Sequence, residues 1–191
     1  MSYFPVSLKI DDKKFLLIGG GSIAAFKLNK IKLFHPQSLL CISRKFSPQF
    51  LEECDGQEKL ITRDFQMSDL DGADIVVVAV DDIGLQELIY KECQQRKILC
   101  NCVDLIHCCD FIFPSILKKG DITIAVTSNG LVPGFSAEFK TFLEKCIPEN
   151  LENGFQSALN LRRSLPPGPA RMAAVREMAK KFFNSGEKIE K

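Results

Sequence analysis

A glycine-rich stretch near the N-terminus, residues 15–27, has the sequence FLLIGGGSIAAFK and the residue pattern best suited to chemistry in this chain. Gly19, Gly21 and Ala24 form the pattern G-x-G-x-x-A between a predicted strand and a predicted helix. The first glycine permits a tight turn, the second lets the backbone approach a pyrophosphate, and the small third residue lets helix and strand pack closely. The helix N-terminus then offers free N–H groups to the phosphates. The motif predicts a nucleotide site, with a purely structural glycine turn as the alternative.

The end of the second predicted strand, Ser43-Arg44-Lys45, bears on which dinucleotide is bound. An Asp or Glu at this place would bind the ribose hydroxyls of NAD. Hydroxyl and guanidinium groups suit a 2′-phosphate at least as well, so these residues alone leave both NAD and NADP open. Plain surface charge is an equally good interpretation of Arg44 and Lys45.

Carboxylates follow two other predicted strands, where ligands of open α/β sheets bind. Asp81 and Asp82 follow the most apolar strand, and Asp104 follows a second buried strand. For Asp82 the favoured interpretation is a cap on the next helix. Asp104 is a candidate proton acceptor or metal escort, and a structural turn is an equal alternative.

Four thiols and an imidazole lie close together in the sequence between Cys100 and Cys109, with His107 among them. Such a cluster could bind zinc or pass on iron. Its spacing matches no closed zinc pattern, and cysteines in a buried strand act as small apolar residues. Packing is therefore the favoured interpretation, and no metal site is predicted.

Alternating strands and helices predict the sheet that positions these residues. The predicted strands are residues 14–18, 39–43, 60–62, 75–80 and 98–103, with helices at 22–34 and 85–93. Continuous β-branched residues at 75–80 indicate a strand covered on both faces. The pattern predicts an α/β fold of the Rossmann type, a doubly wound parallel sheet.

The pattern changes after residue 110. Residues 111–116 and 122–126 flank a turn and predict a hairpin, followed by helices at 133–146, 151–163 and 171–183. We expect a dinucleotide-binding domain at 1–113, a dimerisation region at 114–147 and a small helical domain at 148–191. An apolar hairpin outside the main sheet favours pairing with another subunit.

Composition restricts the partners and the compartment. A formal net charge of +1 gives no electrostatic reason to expect nucleic acid or an acidic membrane. The first residues, MSYFPVSLKIDDKK, lack a secretory signal pattern, and no window approaches the roughly 18 apolar residues of a membrane helix. The eight cysteines then favour reduced thiols in a cytoplasmic protein.

Several sequence pieces, in this order and spacing, resemble the precorrin-2 dehydrogenase/sirohydrochlorin ferrochelatase family, which also forms the N-terminal half of fused bacterial siroheme synthases. The resemblance runs from Phe4 to about Glu144 and is loose after residue 148. It rests on FPVSLKIDDKKFLLIGGGSIAAFK, DGAD leading into VVVAVDD, NCVD ending at Asp104, FIFPSI at 111–116, GDITIAVTSNG at 120–130, and Pro133.

This resemblance implies oxidation of precorrin-2 to sirohydrochlorin with NAD as hydride acceptor. Many members then insert ferrous iron to give siroheme. It also implies a homodimer with the tetrapyrrole in a cleft between the dinucleotide-binding domain and the dimer partner. NAD is the better prediction because the end of the second strand is not acidic in other members either.

The family's key aspartate falls on Asp104, our candidate catalytic residue for both steps. The expected cofactor contacts, from the motif, the strand ends and the resemblance, are Gly19, Gly21, Ser22, Ile23, Ser43, Arg44, Asp81 and Asp82. Ser128 matches a serine beside the tetrapyrrole site of relatives. The substrate carries many carboxylates, so basic side chains such as Lys140, Arg162 and Arg171 are candidates to bind them.

The chain departs from the family pattern at two places. Ala137 stands where members usually have Arg, with Glu138 next to it, and Val80 stands where relatives often have Thr. Because the sequence stops at residue 191, we expect the methyltransferase part of the fused enzymes to be a separate protein.

Two rival functions remain open at this point. One is a regulatory module that senses NAD(H) without catalysis, and the other is a chelatase that no longer binds dinucleotide. The choice between iron and cobalt is also open.

Overall fold

The computed structural model describes residues 3–185 and divides the chain into two compact units, Met1–Phe113 and Pro114–Lys191. The predicted boundary after residue 147 falls within the second unit and stays a prediction. Residues 186–191, the end of the predicted helical domain, lie outside the described residues.

A five-stranded parallel sheet forms the centre of the first unit, in the order β3-β2-β1-β4-β5. Its strands are β1 (Lys14–Ile18), β2 (Ser38–Ser43), β3 (Glu58–Thr62), β4 (Ile75–Val78) and β5 (Leu99–Cys102). The strand order reverses at β1, and ligands of such sheets bind beyond the carboxyl ends of the strands at this point. The predicted doubly wound parallel sheet is confirmed.

Helices cover both faces of this sheet. They are α1 (Ser22–Lys32), α2 (Pro48–Glu52) and α3 (Ile83–Arg96). Leu28 of α1 packs in the same cluster as Val77, whereas Ile89 of α3 packs in the same cluster as Val76. All four residues of β4 are buried, as the continuous apolar run predicts.

Two parts of the first unit differ from the sequence-based prediction. The strand predicted at 75–80 ends at Val78, because the next two carbonyls leave the ladder. The Ala79 carbonyl lies against Gly19, and the Val80 carbonyl accepts a hydrogen bond from Gln86. The sequence analysis also missed α2, whose first turn is capped by Ser47, and a 3-10 helix at Met67–Leu70.

As far as residue 185, the second unit contains the predicted hairpin and three helices. Strands β6 (Ser115–Lys119) and β7 (Ile122–Val126) pair antiparallel. The helices are α4 (Pro133–Cys146), α5 (Leu151–Ser164) and α6 (Pro169–Ser185). Helix α4 packs on the hairpin, and α5 packs on α6. The contact between α5 and α6 is close, because a Cβ added to Gly154 would lie 2.5 Å from the Phe182 ring.

Within residues 3–185, none of the helices has the length and apolar character required to span a bilayer.

Candidate active site at the carboxyl edge of the parallel sheet

An open cleft of about 530 Å³ lies at the carboxyl ends of the parallel strands, entirely within the first unit. It is lined by residues 18–24, 42–45, 63–65 and 79–82, and by Leu85, Val103 and Asp104. The cleft therefore brings together Asp104 and all of the predicted cofactor contacts. Their proposed roles stay predictions.

The first glycine of the motif is fixed by packing. Gly19 has φ +120°, and a Cβ on it would lie 2.0 Å from the Ala79 carbonyl oxygen. Only glycine adopts this backbone readily, and only glycine leaves room for the β4 chain end. The structure thus gives Gly19 the tight-turn role that the motif predicts.

The middle glycine is equally constrained, although the motif allows any residue there. A Cβ on Gly20 would lie 2.5 Å from the Lys45 carbonyl oxygen and 2.9 Å from Ser43 Oγ. Its own carbonyl accepts a hydrogen bond from the Ser47 N–H at 2.8 Å. Sequence reasoning missed this residue, because the contact joins segments that are distant in the chain.

The third glycine of the run faces open space. A Cβ on Gly21 would meet no atom within 4 Å. Gly21 is also the N-cap of α1, which has no side-chain cap and no acidic residue in its first turn. The first N–H groups of a helix have no partner within the helix, and they favour anions. The space that a side chain would fill, beside these N–H groups, fits a dinucleotide pyrophosphate.

The end of β2 presents hydroxyl and cationic groups. Ser43 Oγ donates to the Lys45 carbonyl at 2.8 Å, which fixes the turn beside Gly20. Arg44 Nε lies 3.3 Å from Asp64 Oδ1, and both side chains are more than four-fifths exposed (82% and 81%). Such an exposed ion pair contributes little to stability, so Arg44 can exchange its partner for a ligand.

The end of β3 contributes three cleft residues that sequence reasoning missed: Arg63, Asp64 and Phe65. Arg63 donates two hydrogen bonds to Asp69, at 2.6 and 2.7 Å. This pairing raises the pKa of Arg63 and lowers the pKa of Asp69. The predicted strand β3 could have indicated these residues. The residues that follow a strand of a parallel sheet lie at the same edge of the sheet as those that follow the neighbouring strands.

The paired aspartates after β4 differ in their contacts. Asp82 Oδ1 accepts a hydrogen bond from the Leu85 N–H at 3.0 Å, which confirms its interpretation as the cap of α3. Both Asp81 and Asp82 are exposed and line the cleft. Their cofactor contacts stay predictions.

The candidate catalytic carboxylate follows β5 on an anchored loop. Asp104 is exposed, and its Oδ2 accepts a hydrogen bond from Gln86 Nε2 at 3.3 Å. The loop returns to β5, where Asn101 and Cys109 form an antiparallel bridge and Asp110 Oδ2 accepts from the Cys100 N–H at 2.9 Å. Asp104 therefore stands at the cleft on backbone that is held at both ends.

The predicted substrate contacts Ser128, Lys140, Arg162 and Arg171 lie in the second unit, the last two on α5 and α6. Ser128 Oγ accepts a hydrogen bond from the Val132 N–H at 3.1 Å, one residue before α4. Lys140 Nζ pairs with Glu144 at 3.3 Å on α4 itself. Their roles toward a substrate stay predictions.

Three of the four thiols in the cysteine cluster pack inside the fold. Cys100, Cys102 and Cys108 are buried, and the first two sulfurs lie 3.9 Å apart. Burial raises the pKa of Cys109 to about 11, so its thiol is protonated at neutral pH. Within residues 3–185, no three or more His, Cys, Asp or Glu side chains are grouped to hold a metal ion. His107 is exposed in a 3-10 helix, Ile106–Cys108.

The fold and the cleft define the class of protein as a Rossmann-type dinucleotide-binding protein. A model of the family NAD_binding_7, described as "Putative NAD(P)-binding", matches residues 6–115, and the chain belongs to this family. The predicted nicotinamide dinucleotide cofactor is thereby confirmed.

The curated proteins similar to this chain include two siroheme synthases. "Siroheme synthase 2" of Yersinia pseudotuberculosis serotype O:1b (strain IP 31758) is 34% identical over 185 residues, which cover 96% of this chain and 39% of the relative. "Siroheme synthase 1" of Yersinia pestis (strain Pestoides F) is 35% identical over 165 residues, which cover 85% of this chain and 34% of the relative. This chain thus spans well under half the length of these relatives.

A solved structure supports the fold. The protein "SirC, precorrin-2 dehydrogenase" superposes with a TM-score of 0.72 at 19% identity, over 96% of this chain and 90% of that chain. The similarity to the siroheme synthases confirms the family resemblance drawn from the sequence. The solved structure confirms the fold of a dinucleotide-binding sheet followed by a hairpin and C-terminal helices.

Proposed function

We propose that this chain is an enzyme of siroheme biosynthesis that oxidises precorrin-2 to sirohydrochlorin with NAD as hydride acceptor. The observation that supports this most is the shared cleft, in which the glycine turn and the Asp104 carboxylate line one cavity. The similarity to siroheme synthases, and the fold shared with a protein named as a precorrin-2 dehydrogenase, support the choice of substrate.

Different residues of the cleft are proposed to bind different parts of the dinucleotide. Main-chain N–H groups at Gly21 and the start of α1 would hold the pyrophosphate, and Ser43 and Arg44 would lie at the adenosine ribose. Asp81 and Asp82, which line the same cleft as Asp104, are also proposed to contact the cofactor. When bound, NAD supplies the nicotinamide ring that accepts the hydride from the substrate.

The reaction also releases a proton, for which Asp104 is the proposed acceptor. Precorrin-2 and NAD⁺ give sirohydrochlorin, NADH and one proton, so a base beside the macrocycle assists the step. Because Asp104 Oδ2 is occupied by the Gln86 amide, Oδ1 is the atom proposed to take the proton. Holding the macrocycle and the acceptor in one orientation contributes much of such a rate gain.

We extend the proposal to insertion of ferrous iron into sirohydrochlorin. Iron is a substrate here, and two pyrrole protons must leave as it enters the macrocycle. Asp104 would accept these protons or pass the metal, because a carboxylate is a suitable ligand and base. Both steps would then depend on one side chain.

Further parts of the proposal concern the second unit and the compartment. Ser128 and Lys140 are proposed to contact the substrate, with Lys140 exchanging Glu144 for a substrate carboxylate. The β6–β7 hairpin is proposed to take part in a homodimer, and the protein is proposed to be cytoplasmic, where its eight free cysteines stay reduced.

Changing Asp104→Asn tests the proposed catalytic role. We expect loss of at least about a hundredfold in kcat for precorrin-2 oxidation, with the Kd for NAD within about twofold of wild type. Glu87→Gln, which neutralises an exposed carboxylate of α3, is the matched control and should keep full activity.

The same measurements separate the rival functions. A sensor would bind NAD, would not turn over precorrin-2 and would be indifferent to Asp104→Asn. A chelatase-only protein would insert iron without binding NAD, which calorimetric titration would reveal.

A further inference from the structure

We propose that Gln86 is a positioning residue that fixes the Asp104 carboxylate in the cleft, and this inference rests on the proposed function. Gln86 lies on α3 with a side chain that is 0% exposed. Its amide nitrogen donates to the Val80 carbonyl at 2.7 Å and to Asp104 Oδ2 at 3.3 Å. One buried side chain therefore joins the end of β4 to the residue that follows β5.

The burial of a glutamine here requires an explanation. The other buried residues of α3, Ile89 and Cys93, belong to an apolar cluster. The Gln86 amide oxygen is buried and forms no hydrogen bond, which costs stability. An apolar residue would avoid this cost, so the distinctive contribution of Gln86 is the pair of bonds that its nitrogen donates.

The surroundings fix the orientation of the amide. Both neighbouring groups, the Val80 carbonyl and the Asp104 carboxylate, are hydrogen-bond acceptors. A flipped amide would place its oxygen against two other oxygens, so only the NH₂ group fits between them. The donor role of Gln86 thus follows from its neighbours.

This contact determines which oxygen of Asp104 is available. Among residues 3–185, Gln86 is the one hydrogen-bond partner of the Asp104 side chain. It holds Oδ2 and leaves Oδ1 free as a proton acceptor. Without it, an exposed aspartate would sample several rotamers and present its carboxylate to the substrate only part of the time.

The same contact ties the carboxylate to the glycine turn. Gln86 is anchored to Val80, and the neighbouring Ala79 packs against Gly19 and donates its N–H to the Ile18 carbonyl at 2.7 Å. The positions of the candidate base and the pyrophosphate-binding turn are therefore linked through consecutive residues at the end of β4.

Changing Gln86→Met, with an apolar side chain of similar length, tests the proposal. We expect kcat for precorrin-2 oxidation to fall about 10- to 100-fold, with the Kd for NAD within about twofold of wild type. We also expect the Tm to change by about 3 °C or less, because loss of the hydrogen bond to the Val80 carbonyl is offset in part by removal of the unpaired buried oxygen. A merely structural role would lower the Tm further and leave kcat of the folded protein unchanged.

A control bond lies just before β3, outside the cleft lining. Gln57 Nε2 donates to Asp55 Oδ2 at 3.4 Å. Gln57→Met removes an amide–carboxylate bond of the same kind and should leave kcat near the wild-type value. An equal loss of kcat in both variants would overturn the specific role of Gln86.

A second readout does not depend on activity. Crystal structures of wild type and of Gln86→Met should show one Asp104 rotamer in the former and a displaced or divided side chain in the latter. An unchanged Asp104 rotamer would overturn the proposal even if the wild type turns over precorrin-2. If the wild type shows no turnover, the proposed function fails, and the crystallographic comparison still decides whether Gln86 positions Asp104. Should Gln86→Met not fold, Gln86→Leu serves the same comparison.

Discussion

Gly19 and Ala79, which follow the adjacent strands β1 and β4, lie in contact, with no room for a side chain on Gly19. A Cβ on Gly19 would lie 2.0 Å from the Ala79 carbonyl oxygen, and its φ is +120°. We therefore expect Gly19→Ala to lower the free energy of unfolding by at least about 2 kcal/mol, from backbone strain and steric overlap. Urea denaturation measures this change. An unaltered denaturation midpoint would contradict the close packing.

Gly21→Ala should weaken NAD binding without lowering the stability of the fold. Its Cβ would stand in open space, and its φ of −86° suits any residue, so we expect a Tm within about 3 °C of wild type. The new methyl group occupies the space assigned to the pyrophosphate, and we expect the Kd for NAD to rise at least about tenfold by isothermal titration calorimetry. Unchanged NAD affinity would place the pyrophosphate elsewhere.

The ion pair between Arg44 and Asp64 should influence the choice of dinucleotide. The Asp64 carboxylate, 3.3 Å from the Arg44 guanidinium, competes with any 2′-phosphate for that cation. We expect Asp64→Asn to strengthen NADP binding by about three- to tenfold and to leave the Kd for NAD within about twofold. The double change with Arg44→Ala is the control and should abolish the gain. Equal effects on both dinucleotides would show that the ribose lies away from Arg44.

Asp69 should make the stability of the first unit depend on pH in the acidic range. Its hydrogen bonds from Arg63 lower its pKa below the usual 3.8, so the unfolded state takes up the proton first as pH falls. The stabilising contribution is therefore complete above the usual pKa and is lost as pH falls through the folded-state pKa.

The measurement compares Asp69→Asn with wild type. The difference in free energy of unfolding should be constant between about pH 5 and pH 7 and should shrink below about pH 4. A difference of the same size at both ends of the range would mean that the Asp69 charge is not what stabilises the fold.

The sequence sufficed to predict the parallel sheet, because unbroken apolar strands such as Ile75–Val78 occur where both faces are covered. It also predicted the residues that follow β1, β2, β4 and β5 at the cleft. It did not reveal Gly20, Arg63 or Gln86, whose environments depend on segments that meet only in the folded chain. No sequence pattern predicts a buried glutamine on an otherwise apolar helix face. Its hydrogen-bond partner is a backbone carbonyl, and only the folded structure shows which one.

The end of β4 shows the same limit on a local scale. Residues 75–80 form one apolar run, yet the strand stops at Val78 because the next two carbonyls contact Gly19 and Gln86. Strand propensity continues through this point, and tertiary contacts override it.

Oxidation of precorrin-2 is tested most directly by anaerobic incubation of the wild-type protein with precorrin-2 and NAD⁺, in which NADH and sirohydrochlorin are measured together. If the protein catalyses this reaction, the two products should appear in a one-to-one ratio, and neither should form when NAD⁺ is omitted. Binding of NAD⁺ without formation of either product would contradict the proposed function.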